Sequence, residues 1–323
     1  KFKEIDGWPM IYCWPKEFRE RYLAAPKIGG VGEVKQGVNT GNNLRMLRNW
    51  WEVSTGEIDI IDVDSKINND IENKWQPYIK GAAGKRWFEP LSYIIKYLSN
   101  GTEGKIRQLD VFNSYEWKYC NSDCYFIQGI AFSYIGMGFL SRLRMYKSIF
   151  DGAASSIFIA NPSEVQVLLS SKIIEYTSQS LNPTINNTVS DIGNLPIFQN
   201  ILDWEVFYNT IKDLYYSYFA SNETLIEFNY TQMSELEFEL RELLERSKID
   251  EAIFATFSED TQKAIKEEVG EIPTLYPNET VAIDKNTFTE IYLNGSHSYE
   301  FGEKKLKAAG TPERGMLQNL EAL

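Results

Sequence analysis

Apolar residues recur at three- and four-residue intervals in several stretches of the chain, and each stretch predicts a helix with one buried stripe. The first, Lys16 to Leu23, closes before Pro26, because the residue preceding a proline is pushed out of helical backbone. Val165, Leu168, Leu169, Ile173 and Tyr176 form a second stripe, suited to packing on a sheet. Trp204 to Phe219 is a third. Met233, Leu236, Leu240, Leu243 and Leu244 continue the same spacing with Glu and Arg between them, as in a helical hairpin or spacer. A different period appears elsewhere. Glu57 to Asp64 alternates acidic and apolar residues and predicts a half-buried strand. Tyr125 to Phe132 reads as a strand ending at a Gly136-x-Gly138 loop, Tyr93 to Leu98 is apolar, and Asn100-Gly101 marks a turn. The expected fold class is therefore mixed α/β (α+β), with a β-rich region followed by an α-helical spacer.

Charge divides along the same line. The 323 residues carry a net charge of -12, but residues 1–150 hold 21 Lys/Arg against 17 Asp/Glu, leaving 12 against 28 for residues 151–323. A locally basic face can bind a polyanion while the rest of the chain repels it, because screening over about 8–10 Å separates the two regions. Three cysteines, Cys13, Cys120 and Cys124, and one distant histidine, His297, fit neither a disulfide framework nor a zinc site. No apolar run approaches the roughly 20 residues of a membrane span, and no signal peptide opens the chain, so a cytoplasmic location without a membrane partner is expected.

Val34 to Val53 joins small flexible residues to amides and arginines. Gly37 and Gly41 permit a tight loop. Lys35, Gln36, Thr40, Asn42, Asn43, Arg45 and Arg48 supply donors suited to phosphates and base edges. On a helix starting near Asn42, Arg45 and Arg48 would share one face, Leu44 and Leu47 would turn inward, and Trp50-Trp51 would anchor in the core. Lys74 to Pro90 interleaves Lys80, Lys85 and Arg86 with aromatics, a pattern shared by nucleic-acid surfaces and by core edges with snorkelling lysines. Arg142, Arg144 and Lys147 alternate with apolar residues, which in extended backbone points most of the basic side chains to one face. The small-sided run Asp151 to Ser156, including Ser155, reads as a place where backbone could approach DNA.

The Lys35-Gln36-Gly37 to Asn43 segment, running into Arg45-x-x-Arg48-x-Trp50-Trp51-Glu52-Val53, resembles the start of the target-recognition region in adenine-specific methyltransferases of the BREX phage-defence type, the PglX family, and in fused restriction-methylation enzymes. Four further stretches resemble the family in the same order: Ile5 to Pro9 with Tyr12-Cys13-Trp14, Lys74 to Gly81, Phe150 to Phe158, and Leu181 to Thr184 through Asp191 to Pro196. Ser247 to Phe254 is similar to the helix that closes such regions. The resemblance implies a linker from a missing catalytic domain over 1–30, a DNA target-recognition domain over 31–200, a helical spacer over 201–260 and a polar segment over 261–323. It implies double-stranded DNA as partner, contacted by Lys35, Gln36, Thr40, Asn42, Asn43, Arg45, Arg48, Lys80, Lys85, Arg86, Arg142, Arg144 and Ser155. Other defence-system proteins are further candidate partners.

Adenine-N6 transfer needs an Asn/Asp-Pro-Pro-aromatic motif that binds and stacks on the flipped base. The chain has no Pro-Pro pair. Asn161-Pro162-Ser163 and Asn182-Pro183-Thr184 read as turns, and neither Gly136-x-Gly138 nor Gly30-x-Gly32 is evidence of a methyl-donor loop. No catalytic residue, metal or cofactor is therefore expected in this chain, with S-adenosylmethionine bound by the parent enzyme. Two alternatives compete. Asp62 with Glu72-Asn73-Lys74 has the acid, acid and lysine of a Mg-dependent nuclease, and the acidic helices could form a protein-interaction module.

Overall fold

The computed structural model describes residues 11, 13–63, 65, 73–81, 86–135, 139–184, 186–198, 204–229 and 233–269. Within them the chain is mixed α/β, with two sheets and its longest helices toward the C-terminus. The first sheet has five strands in the order β1 (Glu33–Lys35), β9 (Ser156–Phe158), β6 (Ile130–Phe132), β7 (Ser141–Arg144) and β4 (Trp87–Glu89). Its pairings are antiparallel except β4 with β7. The second sheet orders β2 (Leu47–Asn49), β5 (Tyr93–Lys96), β3 (Trp75–Ile79) and β8 (Ile149–Phe150), with only β3 and β8 parallel.

Alternation along the strands assigns the faces of the five-stranded sheet. Ile130, Phe132, Leu143 and Ile157 turn toward helices α5 (Pro162–Leu169), α6 (Lys172–Leu181), α8 (Trp204–Ser221) and α9 (Glu235–Phe254), in a core that includes Val167, Ile173, Ile211 and Ile253. Ala131 and Phe158 turn the other way, into a layer shared with Leu47, Tyr78, Ile95 and Phe150 of the second sheet. A smaller cluster of Ile58, Trp75, Leu91 and Ile94 gathers half-buried Trp50, Val53 and Ile60 around it.

Helix α1 (Lys16–Ala24) matches its predicted span and ends in extended backbone at Ala25, before Pro26. Its Phe18 and Tyr22 are buried in the helical core beside Phe257 and Tyr176, with Trp14 stacked edge-on to Phe18. Helices α8 and α9 run back against each other as the apolar spacing predicts, with Tyr218 stacked on Phe238 at 3.9 Å. The predicted stripe from Val165 to Tyr176 is buried throughout, but it spans two helices that break at Ser170-Ser171. Ser171 Oγ donates to the Leu168 carbonyl there at 2.6 Å, closing the first helix.

Three expectations are corrected. Glu57 to Val63, the described part of the Glu57–Asp64 stretch, forms no strand; Ile58 and Asp62 make single bridges, to Trp75 and Tyr146. Tyr125 to Phe132 is extended sheet only from Ile130, because Phe126 takes a left-handed backbone (φ 64°) that interrupts pairing. Beyond the Asn100-Gly101 turn lies a helix the pattern did not predict, α4 (Leu98–Phe112), whose opening residues Ser99, Asn100 and Gly101 all have positive φ. Of the stretch from 261 onward, residues 261–269 complete helix α10 (Glu259–Val269) and bury Ile265; the remainder lies outside the described residues. No described helix is long and apolar enough to cross a membrane.

The helical half contains a buried acid with a testable consequence. Asp250 of α9 is 3 % exposed and accepts the Lys172 backbone N–H at 2.7 Å, capping α6. Burial pushes its carboxyl up to about 6, against the capping hydrogen bond and the nearby Arg246. The folded chain then holds this proton more tightly than the unfolded chain, so the Asp250 contribution to stability falls as pH rises from about 4 to about 6. Asp250→Asn keeps an acceptor for Lys172 and removes the penalty. It is expected to flatten the dependence of Tm on pH across that window and to raise stability at pH 7 by up to about 3 kcal/mol. An unchanged slope between pH 4 and 6 would contradict it.

Candidate nucleic-acid interface

The loop from Gln36 to Leu47 is built by its own side chains and by contacts far along the chain. Val38 N–H donates to the Phe150 carbonyl at 2.7 Å and its carbonyl accepts from Gly152 N–H at 3.0 Å, so the loop enters as an extra rung beside β8. Asn39 N–H donates to the Lys118 carbonyl at 2.8 Å, and Asn39 Oδ1 accepts the Gly41 N–H at 3.1 Å. Gly41 turns the chain with φ +66°, a conformation that costs glycine little. The following single turn of helix, α3 (Asn43–Met46), is capped by Asn42 Oδ1, which accepts the Arg45 N–H at 3.1 Å. Thr40, 2 % exposed, donates through Oγ1 to Asn43 Oδ1 at 2.5 Å.

Helix α4 lies behind this loop. Gln108 Nε2 donates to the Thr40 carbonyl at 3.0 Å, and Glu103 Oε1 accepts Arg45 Nε at 2.7 Å. The other Glu103 oxygen pairs with Lys96 of β5. These two cations, Lys96 first, hold the Glu103 carboxyl below the usual carboxylate range. Tyr97 and Tyr119 close the space beneath, and burial pushes each phenol up to about 12. Glu103, Gln108 and Lys118 were invisible to sequence reading. Each meets the loop across at least 58 residues of sequence, and no local pattern marks that approach.

The predicted recognition residues divide into those that hold the fold and those that reach solvent. Arg48 is not on the helix with Arg45. Helix α3 ends at Met46, and Arg48 lies in β2, where its Nη1 donates to the Leu44 and Leu47 carbonyls at 2.7 and 2.6 Å. Leu44, expected inside, is 90 % exposed, because Met46 fills the inward position. Leu47 is buried as expected. The tryptophan pair does not anchor as a unit: Trp51 is 57 % exposed, while Trp50 is half-buried and donates Nε1 to the Thr224 carbonyl at 3.1 Å.

Arg142 and Arg144 do not form an exposed basic face. Both point into the layer between the sheets and are essentially inaccessible. Arg142 forms an ion pair with Glu89 of β4 and donates to the Lys80 carbonyl at 2.7 Å. Arg144 stacks over Phe150 at 4.3 Å and donates to Ser156 Oγ and the Ile127 carbonyl; burial lowers its pKa to about 9. Ser155 is also buried, donating to the Gly152 carbonyl at 3.0 Å. Gly152, Ala154, Ser155 and Ser156 are therefore core, while Asp151 is half-buried and Ala153 is exposed. Arg86 lies among Arg246, Glu242, Glu175 and Tyr215 on the helical side, where burial lowers its pKa. Lys80 is half-buried with its ammonium 4.9 Å from the Tyr93 ring centre, and Lys35 pairs with Glu33 at 3.5 Å. Lys85 lies outside the described residues.

What remains facing solvent is compact. Gln36, Asn39, Asn43, Leu44 and Arg45 are exposed on the loop, and Lys118 stands beside Asn39 with its ammonium 4.1 Å from the ring of exposed Trp117. The nuclease arrangement does not assemble among the described residues. Asp62 bridges Tyr146, Glu72 lies outside them, and no group of three or more His, Cys, Asp or Glu side chains could hold a metal ion.

No family model matches the chain. It is 29 % identical over 206 residues, 62 % of its length, to the adenine-specific methyltransferase BrxX of Escherichia coli strain HS. Over 212 residues, 61 % of its length, it is 26 % identical to the adenine-specific methyltransferase PglX of Lacticaseibacillus casei strain Zhang. The matched part spans 16 and 17 % of those two proteins. Over that part the chain is related to the BREX adenine-specific methyltransferases, the relationship to which its motifs point.

Proposed function

We propose that the chain is a DNA target-recognition segment of an adenine-specific methyltransferase, reading duplex sequence for a catalytic region that binds S-adenosylmethionine elsewhere in the parent protein. The observation that carries this reading is the braced loop. Its amides, Arg48 and α4 satisfy the turn internally, leaving Asn43, Leu44 and Arg45 displayed on a fixed backbone, and a rigid display of base-reading groups is what discrimination requires. The relationship to two adenine-specific methyltransferases favours this over the nuclease. The acidic second half, 12 Lys/Arg against 28 Asp/Glu, is then free for contacts within the parent protein or with partner proteins.

Phosphate contacts set affinity and its salt dependence, whereas base contacts set preference. Binding to a duplex of random sequence is expected to weaken with salt at a slope of about -0.9 per neutralised phosphate. Arg45→Ala is expected to alter either that slope by about one or the preference at a single base pair by about 1–3 kcal/mol, with little change in folding. Binding measured by fluorescence anisotropy at several salt concentrations, with a circular-dichroism melt, checks both. A chain that retained wild-type slope and preference without Arg45 would overturn the assignment of this loop.

A further inference from the structure

The Arg45-Glu103-Lys96 cluster carries more than a surface ion pair. Exposed pairs in general contribute little to stability, and nothing in the fold requires one here. What the geometry fixes is the direction of the arginine. Arg45 spends Nε on Glu103 at 2.7 Å, while its two terminal nitrogens have no partner among the described residues and its side chain is 60 % exposed. An arginine clamped at Nε presents those terminal nitrogens end-on, the orientation in which the two can donate together to guanine O6 and N7. An unclamped arginine on this loop would sweep a cone of rotamers and settle on whichever phosphate lay nearest.

The second oxygen of Glu103 decides the electrostatics. It pairs with Lys96, so the cluster holds two cations and one anion and keeps one net positive charge at the tip. The carboxylate is itself fixed from behind. It projects from α4, the helix whose Gln108 also holds the Thr40 carbonyl, so the clamp and the loop share one rigid support. Arg48, the other arginine of the stretch, turns Nη1 back onto the Leu44 and Leu47 carbonyls, and no carboxylate holds its Nε among the described residues.

We infer that Glu103 is a specificity-determining positioning residue, which holds Arg45 for a base edge and denies it to the phosphate backbone. This rests on the proposed reading of the loop as a DNA contact, and it makes an opposed pair of expectations. Removing the clamp should raise affinity for any sequence and lower discrimination, whereas loss of a merely structural contact would lower both.

The test uses the full chain. Wild-type protein first enriches duplexes from a pool with a random core, and the enriched duplex and a scrambled version of it become the probes. Glu103→Leu, which has no acceptor for Arg45 Nε, is expected to bind the scrambled duplex more tightly, with a salt slope steeper by about one, and to reduce the enriched-to-scrambled affinity ratio by about fivefold or more. Lys96→Met is the contrast. It leaves Arg45 clamped, so both affinities should fall together and the ratio should hold. Melting temperatures within a few degrees of wild type confirm folding, and if Glu103→Leu fails to fold, Glu103→Ala, which likewise lacks an acceptor, takes its place with the same expected directions. No enrichment by the wild-type chain would overturn the proposed function, and this inference with it. Enrichment with a ratio unchanged in the Glu103 variant would overturn the clamp alone.

Discussion

Arg142→Ala is expected to cost about 3–5 kcal/mol of folding stability, read as a drop in the urea midpoint of the whole chain. The arginine is fully buried on β7, its partner Glu89 on β4 is 3 % exposed, and the two strands run parallel at one edge of the five-stranded sheet. Truncation removes the Arg142 charge from beside the enclosed Glu89 carboxylate, and it also removes the donor to the Lys80 carbonyl just past β3. The guanidinium therefore links the two sheets as well as two strands of one. The cost belongs to keeping the carboxylate buried once the guanidinium is gone, more than to the value of the pair itself. Consequently Arg142→Met combined with Glu89→Leu, which replaces both charges with apolar volume, should recover most of the loss. A drop below about 1 kcal/mol in the single variant would mean that water reaches Glu89. The same variant separates the two roles that the sequence leaves open for Arg142, since a DNA contact would change affinity and leave the midpoint in place.

This outcome explains which parts of the molecule were legible. Local period was enough for α1, α8 and α9, because a helix repeats its buried face within a few residues and the chain spells that repeat. The mixed fold class followed from the same evidence. The arginines of β7 were not legible, because charge in an alternating strand ordinarily marks the solvent side, and the partner that reverses this, Glu89, lies 53 residues upstream. Ser155 and its neighbours misled for a related reason: small side chains mark close approach, but they do not say whether a ligand or the protein itself approaches. Here the hydroxyls of Ser155 and Ser156 turn back onto the carbonyls of Gly152 and Ala154. Helix α4 was hidden by its own opening, since three left-handed residues at Ser99 to Gly101 read as a turn. Within the loop the sequence picked out Arg45 and the capping amides. It could not divide them into braces and readers, because that division depends on Glu103 and Gln108.

The Gly37→Ala substitution is expected to damage both folding and any binding by the loop. A methyl group there would sit 2.0 Å from the Phe150 carbonyl oxygen and 2.6 Å from the Phe150 ring, distances that no side-chain rotation relieves. The carbonyl cannot retreat cheaply, because it accepts the Val38 N–H at 2.7 Å in the rung that joins the loop to the second sheet. Nor can the loop lift away freely. Asn121 Nδ2 donates to the Gln36 carbonyl at 2.8 Å, and Cys120 Sγ donates to the Gly37 carbonyl at 3.2 Å. Overpacking of this kind costs about 3 kcal/mol when backbone must move. Gly30→Ala is the matched control: a methyl group at Gly30 meets nothing within 4 Å, and the change in α2 (Ile28–Val31) should be neutral or stabilising by up to about 1 kcal/mol. Denaturation midpoints of the two variants give the first comparison, and a Gly37→Ala midpoint within error of Gly30→Ala would contradict the packing argument. Affinity for the wild-type-enriched duplex gives the second. If the loop is the reading element, Gly37→Ala should lose discrimination under conditions where the remaining protein is still folded, because the displaced rung shifts Asn43, Leu44 and Arg45 together, whereas Gly30→Ala should keep it.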